Sequence, residues 1–371
     1  MNRRRTLNKL VRIGLGLVVA TGLVASVVGC GDSFDPKSKM QTLRVLAVRA
    51  DNPYPKPGDT VHLDMLWFDG KAPPTGDLLD GGLPEGGPPV PEGGTPDGGL
   101  PEGGPPVGGP GYFSSRQVQI VWIGGCFNPL GNQYYGCYSQ LAESLGAAQE
   151  DPASFAKLVG LGSSFNLEIP ADIISGHPAA EGQTPNGLAF VFFAVCAGEV
   201  RPAEPGPDGL PLGCFDPETD ARLGADDFVP GYASLYSFDG IRNTNPVLTA
   251  FKVNGVEIAE TEHPSFPRCT SANCSEIDIQ AVVDPASVEP NPLSPDKNGN
   301  PQGEMMWVDY YTTDGKLKSE SRLVNDATTG FNADHGTKLT MPAEAQDLHL
   351  FGIAHDSRGG VQWMHRVIRV E

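Results

Sequence analysis

The sequence predicts an all-β chain built as two antiparallel β-sandwiches, and three observations point there. Short runs rich in β-branched, aromatic and aliphatic residues alternate with clusters of Gly, Pro, Asn and Asp along most of the 371 residues. The runs read before residue 242 recur in the same order after residue 243. A tryptophan, Trp122 or Trp307, stands on the equivalent middle run of each series.

Taken in order, residues 43–49 and 60–68 form the first two strands, joined by the turn-rich Asn52-Pro53-Tyr54-Pro55-Lys56-Pro57-Gly58. Two strands alone are marginally stable. They must pair with strands such as 117–123 and 188–196, which lie beyond a tract at 70–111. That tract holds 15 Gly and 11 Pro in 42 positions and contains GGLPEGGPPV twice, at 81–90 and 98–107. With so few bulky side chains it cannot offset its ordering entropy, so it is expected to be a disordered Gly/Pro-rich insertion inside the first sandwich. Within 139–162, Leu141, Leu145, Phe155, Leu158 and Val159 follow a loose helical spacing that predicts one or two short helices. Phe165, Leu167 and Ile169 alternate with polar neighbours as a half-buried strand, ended by Pro170. Residues 188–195 are apolar on both faces, which predicts a buried central strand, the run being far too short to cross a bilayer.

From Asn245 the series repeats: 247–253 answers 43–49, 275–283 answers 60–68, 305–311 answers 118–123, 337–341 answers 163–169, and 348–354 answers 188–194. Short strands, polar turns and a strand-borne Trp expected to fill each core suit immunoglobulin-like sandwiches, without the cross-sheet disulfide of antibody domains. The expected domains are 42–242, containing the insertion, and 243–371.

The amino terminus predicts location. Arg3, Arg4, Arg5, Lys9 and Arg12 precede an uncharged run of 16 residues, 13–28, that ends in small residues before Cys30. A membrane span needs about 20 residues. Val27-Val28-Gly29-Cys30 resembles the lipobox of bacterial lipoproteins. This resemblance implies that residues 1–29 are a signal peptide, that Cys30 carries a covalent lipid, and that 30–41 is a lipidated tether. Two or three acyl chains, at about 0.8 kcal/mol per buried methylene, hold a domain on a bilayer. Gly31 rather than Asp after Cys30 is compatible, by the same resemblance, with the outer membrane. Arg4-Arg5-Thr6-Leu7-Asn8-Lys9 also resembles a twin-arginine signal, although an ordinary positive n-region accounts for it as well.

Residues 1–29 carry five cations and no acids, so from Cys30 onward the chain has 21 Lys plus Arg against 45 Asp plus Glu. Nucleic acid is excluded as a partner class, because phosphate recognition needs a basic footprint. Seven cysteines leave six once Cys30 is lipidated. Six allow 15 pairings, and their order as close couples favours Cys126 with Cys137, Cys196 with Cys214, and Cys269 with Cys274, in an oxidising compartment.

LRVLAVRA at 43–50, PGDTVHL at 57–63, NTNP at 243–246 and HDSRGGVQWMHR at 355–366 resemble the tandem-sandwich lipoproteins abundant in myxobacteria. That family has no established activity, and the tract at 70–111 departs from its pattern.

Catalytic signals are absent. Residues 296–301 begin like a calcium loop, but Pro301 replaces the turn glycine and Trp307 stands where a bidentate Glu belongs. His349 and His355 are about 20 Å apart on a strand, so at most one of them meets His365, and no metal site is expected. His355, Asp356 and Ser357 are neighbours in a turn and cannot reach triad geometry. No catalytic residue and no cofactor beyond the lipid is therefore assigned. Tyr134, Tyr135 and Tyr138, flanking Cys137, are the candidate recognition residues. The expected function is a non-enzymatic binding, adhesion or envelope-organising module anchored in the cell envelope. It would contact the membrane through lipid and an envelope protein or glycan through its surface. The alternative is a periplasmic or surface hydrolase with a carboxylate-based site between the domains.

Overall fold

A computed structural model describes residues 37–71, 116–148, 151–177, 179, 181–204, 211–270 and 274–371. The expected signal at 1–29, Cys30, and residues 72–111 of the Gly/Pro-rich tract lie outside the described residues.

The amino-terminal half contains Leu43–Ala50 (β1), Thr60–Asp69 (β2), Gln119–Phe127 (β3), Val159–Leu161 (β4), Ser164–Glu168 (β5), Asn186–Cys196 (β6), Glu199–Pro202 (β7), Leu212–Phe215 (β8) and Phe228–Phe238 (β9). Cys137–Ala148 (α1) and Pro152–Leu158 (α2) stand between β3 and β4. The strands pair antiparallel as β1-β2-β5 and β4-β3-β6-β9, with β7-β8 a separate hairpin. β1 and β2 thus join β5, a strand from beyond the tract.

Strand β6 is two-faced in the way its composition requires. Ala189, Val191, Phe193 and Val195 enter the core between the two sheets, where they meet Leu43, Val61, Leu63, Trp122 and Leu167. Leu188, Phe190 and Phe192 point the other way, under α1. α2 begins at Asp151, whose carboxylate accepts the Ala153 N–H, with Pro152 in the first turn. Its helix stops at Leu158. The expected helical stretch to 162 instead ends in β4, where β-branched Val159 and Gly160 pair with β3 and the Phe165 ring fills the space a Gly160 side chain would need. β9 was hidden in the sequence by Pro230 and Gly231. Both are tolerated because β9 is the edge of its sheet, where a missing N–H costs little.

The carboxyl-terminal half contains Leu248–Val253 (β10), Val256–Glu257 (β11), Ser265–Phe266 (β12), Glu276–Val283 (β13), Pro290–Pro295 (β14), Pro301–Gly303 (β15), Met306–Thr312 (β16), Lys316–Leu317 (β17), Ser321–Asp326 (β18), Gly330–Phe331 (β19), Thr337–Thr340 (β20), Gln346–Asp356 (β21) and Val361–Val370 (β22). Its sheets run β11-β10-β13-β20-β17 and β12-β22-β21-β16-β18-β19. The strand order β10-β13-β20 repeats β1-β2-β5, and β18-β16-β21-β22 repeats β4-β3-β6-β9. Phe251, Ile277, Ile279, Leu339, Val308, Leu348 and Leu350 fill the core between these two sheets.

One expectation is corrected. Trp122 is fully buried and lies beside Phe165 and Phe193, but Trp307 faces outward, stacked on His355 at 5.2 Å. The inward residues of β16 are Met306, Val308 and Tyr310, so Tyr310 takes the core position. It donates to the His335 carbonyl and accepts the Ala281 N–H. A one-residue offset along a strand moves every side chain to the opposite face.

The outer faces of β1-β2 and of β16-β21-β22 pack on each other through Met40, Leu46, Ala47, Leu66, Phe68, Phe351, Ile353 and Val361. A bulge between Val45 and Ala47 lets Leu46 and Ala47 reach this junction while Leu43, Val45 and Val48 stay inside the first core. Part of the expected tether is docked as well. Met40 N–H donates to Thr312 O, Thr312 N–H donates to Ser38 O, and Ser38 and Met40 are almost fully buried.

Candidate functional site

The six cysteines form the disulfides Cys126–Cys137, Cys196–Cys214 and Cys269–Cys274. The first ties the end of β3 to the start of α1 across a sequence separation of 11, pinning the helix over the outer face of β3-β6-β9. Between the two cysteines, residues 128–136 turn tightly. Asn128 binds the backbone of Leu188 and Ile173, and Asn132 Oδ1 accepts from His177 Nε2 at 3.0 Å. Gly131 takes φ 72°, a left-handed conformation that favours glycine.

This stapled loop meets β9 in a run of aromatic rings. Tyr134 stacks on Tyr232 at 4.8 Å, touches Tyr135 edge-on at 5.7 Å and lies 6.3 Å from Tyr138. Beneath them, Phe190 meets Tyr232 and Phe192 meets both Tyr138 and Tyr232. Farther along β9, Tyr236 stacks on Phe238, which contacts Tyr54. Tyr135 is 60% exposed, Tyr232 46% and Tyr236 41%. Tyr134 and Tyr138 are half-buried and cover the sheet, so of the three sequence candidates Tyr135 is the one that is exposed. Tyr232 and Tyr236 were not among the sequence candidates. Their signal was the alternation Tyr232, Ser234, Tyr236, which places all three on the outer face of β9 about 6.6 Å apart in succession.

Carboxylates do converge between the two halves, but they are engaged. Arg358 donates to Glu304 at 2.6 Å and to Glu289, and its Nη1 donates to the Arg242 carbonyl. Asp356 accepts from the backbone of Arg358 and Gly360 and from Asn243. Asn245 donates to the Ala50 carbonyl and accepts the Val361 N–H. Residues 243–246 and 355–361 therefore interlock with the end of β1. The Arg358 and Glu304 side chains are only 2% and 1% exposed, leaving them no path to a substrate. Burial raises the carboxyl pKa of both Glu304 and Asp356.

His349 meets His365 at 3.0 Å, and the pair sits against Phe68 and Phe351. Burial lowers His349 to about 4, and burial together with His349 lowers His365 to about 3, so both are neutral at pH 7. His355 lies elsewhere, beside Asp309. Asp296 accepts from Asn298 and Asn300 N–H as an ordinary surface turn. Among the described residues, no group of three or more His, Cys, Asp or Glu is placed to hold a metal ion. No helix among them is long and apolar enough to cross a membrane, and the three disulfides fit an oxidising, extracytoplasmic setting.

No protein-family model matches this sequence, and neither does any curated protein. Among solved structures, dimeric latent PorU from Porphyromonas gingivalis aligns over 90% of this chain at 10% identity with a TM-score of 0.19. Escherichia coli alpha-2-macroglobulin activated by porcine elastase aligns over 91% at 8% identity with a TM-score of 0.17. This chain spans 24% and 22% of those two proteins. The C-terminal domain of the Streptococcus pyogenes antigen I/II-family protein AspA aligns over 90% of this chain and all of its own length, at 9% identity and a TM-score of 0.18. Likenesses this slight carry nothing over to this chain.

Proposed function

We propose that this is a lipid-anchored cell-envelope protein, held in the outer membrane through Cys30, that binds a neutral envelope glycan without transforming it. The tyrosine face is the observation that carries the reading. Tyr135, Tyr232 and Tyr236 are exposed on a disulfide-stapled loop and an edge strand, with their neighbours Tyr134 and Phe238 stacked against them. Rigid aromatic rings offer flat apolar area at low entropic cost, and their hydroxyls supply hydrogen bonds. Sugar rings present the matching combination of apolar faces and hydroxyl edges. The excess of acids in the whole chain opposes an anionic polymer there. Two immunoglobulin-like units as the scaffold are supported by the strand order shared by both halves. The engagement of Glu304 by Arg358 and of Asp356 by Asn243 favours this reading over a hydrolase with a carboxylate-based site between the domains.

Fractionated cells and envelope polysaccharide test both parts. Cys30→Ala should release the protein from membranes, and its retention after a salt wash would sink the anchor. The full-length protein should co-sediment with insoluble envelope polysaccharide, and Tyr232→Ala with Tyr236→Ala should weaken this about tenfold or more. Unchanged co-sedimentation of that double variant would remove the tyrosine face from binding.

A further inference from the structure

The geometry points to a second, separate site: we propose that the outer face of the sheet β11-β10-β13-β20-β17 binds a phosphate monoester carried on a sugar-sized body. A cavity of about 290 Å³ opens there, lined by Lys252, Lys318, Arg322 and Lys338 together with Asp278 and Asp334. In a chain of 45 acids and 26 Lys plus Arg, four cations around one cavity run against the sign of the molecule.

The cations are placed by strand register. Lys252 on β10 stands opposite Gln280 on β13, and Asp278 stands opposite Lys338 on β20. Lys318 N–H donates to the Lys338 carbonyl, and Thr337 Oγ1 accepts from Ser319 N–H while donating to its carbonyl. Arg322 is held by a bond from Nη2 to the Asp334 carbonyl. Lys338 has Asp278 at 3.6 Å and Glu276 at 3.8 Å. Among the described residues no carboxylate lies within ion-pair distance of Lys252, Lys318 or Arg322. Like charges gathered on one sheet face repel one another, and an anion seated among them removes that penalty.

The lining has two more positive than negative charges, matching a phosphate monoester, which carries about −2 near neutral pH, better than a carboxylate. A guanidinium with ammonium groups suits its several oxygens. Asp278 and Asp334 would repel a second phosphate but accept hydrogen bonds from hydroxyl groups. The volume approaches the lower end of small-molecule pockets, about 300 Å³, which is room for more than a bare ion. This site draws on none of the tyrosine-face residues, so either site stands if the other fails.

Calorimetric titration of the full-length protein with glucose 6-phosphate, inorganic phosphate and glucose is the test. Glucose 6-phosphate should bind, inorganic phosphate more weakly, and glucose should not. Lys318→Glu and Lys252→Ala should each weaken glucose 6-phosphate about tenfold or more with the melting temperature unchanged, and Lys318→Arg should retain it. Added salt should weaken binding. No binding of glucose 6-phosphate at millimolar concentration, or full affinity in the Lys252→Ala/Lys318→Glu double variant, would overturn the site. Equal binding of glucose would overturn the oxyanion, and equal binding of inorganic phosphate would overturn the sugar-sized body.

Discussion

Arg358 shows how much a single residue decides in this protein. It is buried against Glu304 and reaches Glu289, so its loss leaves a carboxylate in a dry site without its cation. Arg358→Ala should therefore destabilise the fold by about 3–5 kcal/mol. Arg369→Ala, which breaks an exposed, solvent-screened pair with Asp347, should leave stability nearly unchanged. Urea unfolding of the two variants checks the contrast. Gly360 belongs to the same lock, because a Cβ there would collide with the Asp356 carboxylate. The His349 and His365 pair makes stability depend on pH in a definite direction. Their ordinary value of 6.5 falls to about 4 and about 3 in the fold, so between those limits the unfolded chain binds protons that the folded one refuses. Their contribution is complete above pH 6.5 and is lost as pH falls. A tenfold change in proton affinity is worth about 1.4 kcal/mol, so each histidine should cost about 2 kcal/mol at pH 5. Urea midpoints at pH 7.5 and pH 5 should differ accordingly, and His349→Gln with His365→Gln should flatten the difference.

At the scale of elements, the tyrosine face depends on α1 being held against β3-β6-β9. Leu141 of α1 packs with Leu188, Phe190 and Phe192, and Cys126–Cys137 closes the loop that carries Tyr134 and Tyr135. Replacing both cysteines by Ser should cost about 2–4 kcal/mol, as for other short disulfide loops. Amide hydrogen exchange should speed up in α1 and residues 128–136 while β21 and β22 keep their protection. Equal loosening of β21 and β22 would show that α1 is not a local unit. The helix itself was legible in the spacing of Leu141 and Leu145, whereas β4 was not, since Val159 continues the helical spacing and only its pairing with Ile123 of β3 makes it a strand.

Across the whole molecule, four sheets follow one another in layers, joined by the two internal cores and by the junction around Leu66, Phe68, Phe351 and Ile353. Residues on either side of the Gly/Pro-rich tract belong to the same layers. β2 pairs with β5 over five residue pairs, from Thr60 with Glu168 to Asp64 with Ser164, and Arg116 grips Asp69 with two hydrogen bonds. Proteolytic cleavage within 72–115 should therefore leave both fragments together on a native sizing column and separate them only in denaturant, because sheet hydrogen bonds and buried faces survive the cut. Fragments that part under native conditions would show that β1 and β2 are not held by the strands that follow.

What the sequence determined by itself is local two-sidedness. The all-β class, the buried central strand at 188–195 and the repeated order of strands all follow from which neighbouring residues are apolar, since a strand's side chains alternate by geometry. Which faces meet was decided only in three dimensions. A bulge at Val45/Ala47 turned Leu46 toward the second half, and a one-residue offset placed Trp307 outside and Tyr310 inside. Tyr134 met Tyr232 across almost a hundred residues, Arg358 met Glu304 across 54, and Lys252 came to share a cavity with Lys318 and Lys338. Pairings that distant are set by register and layer packing, which no window of sequence contains.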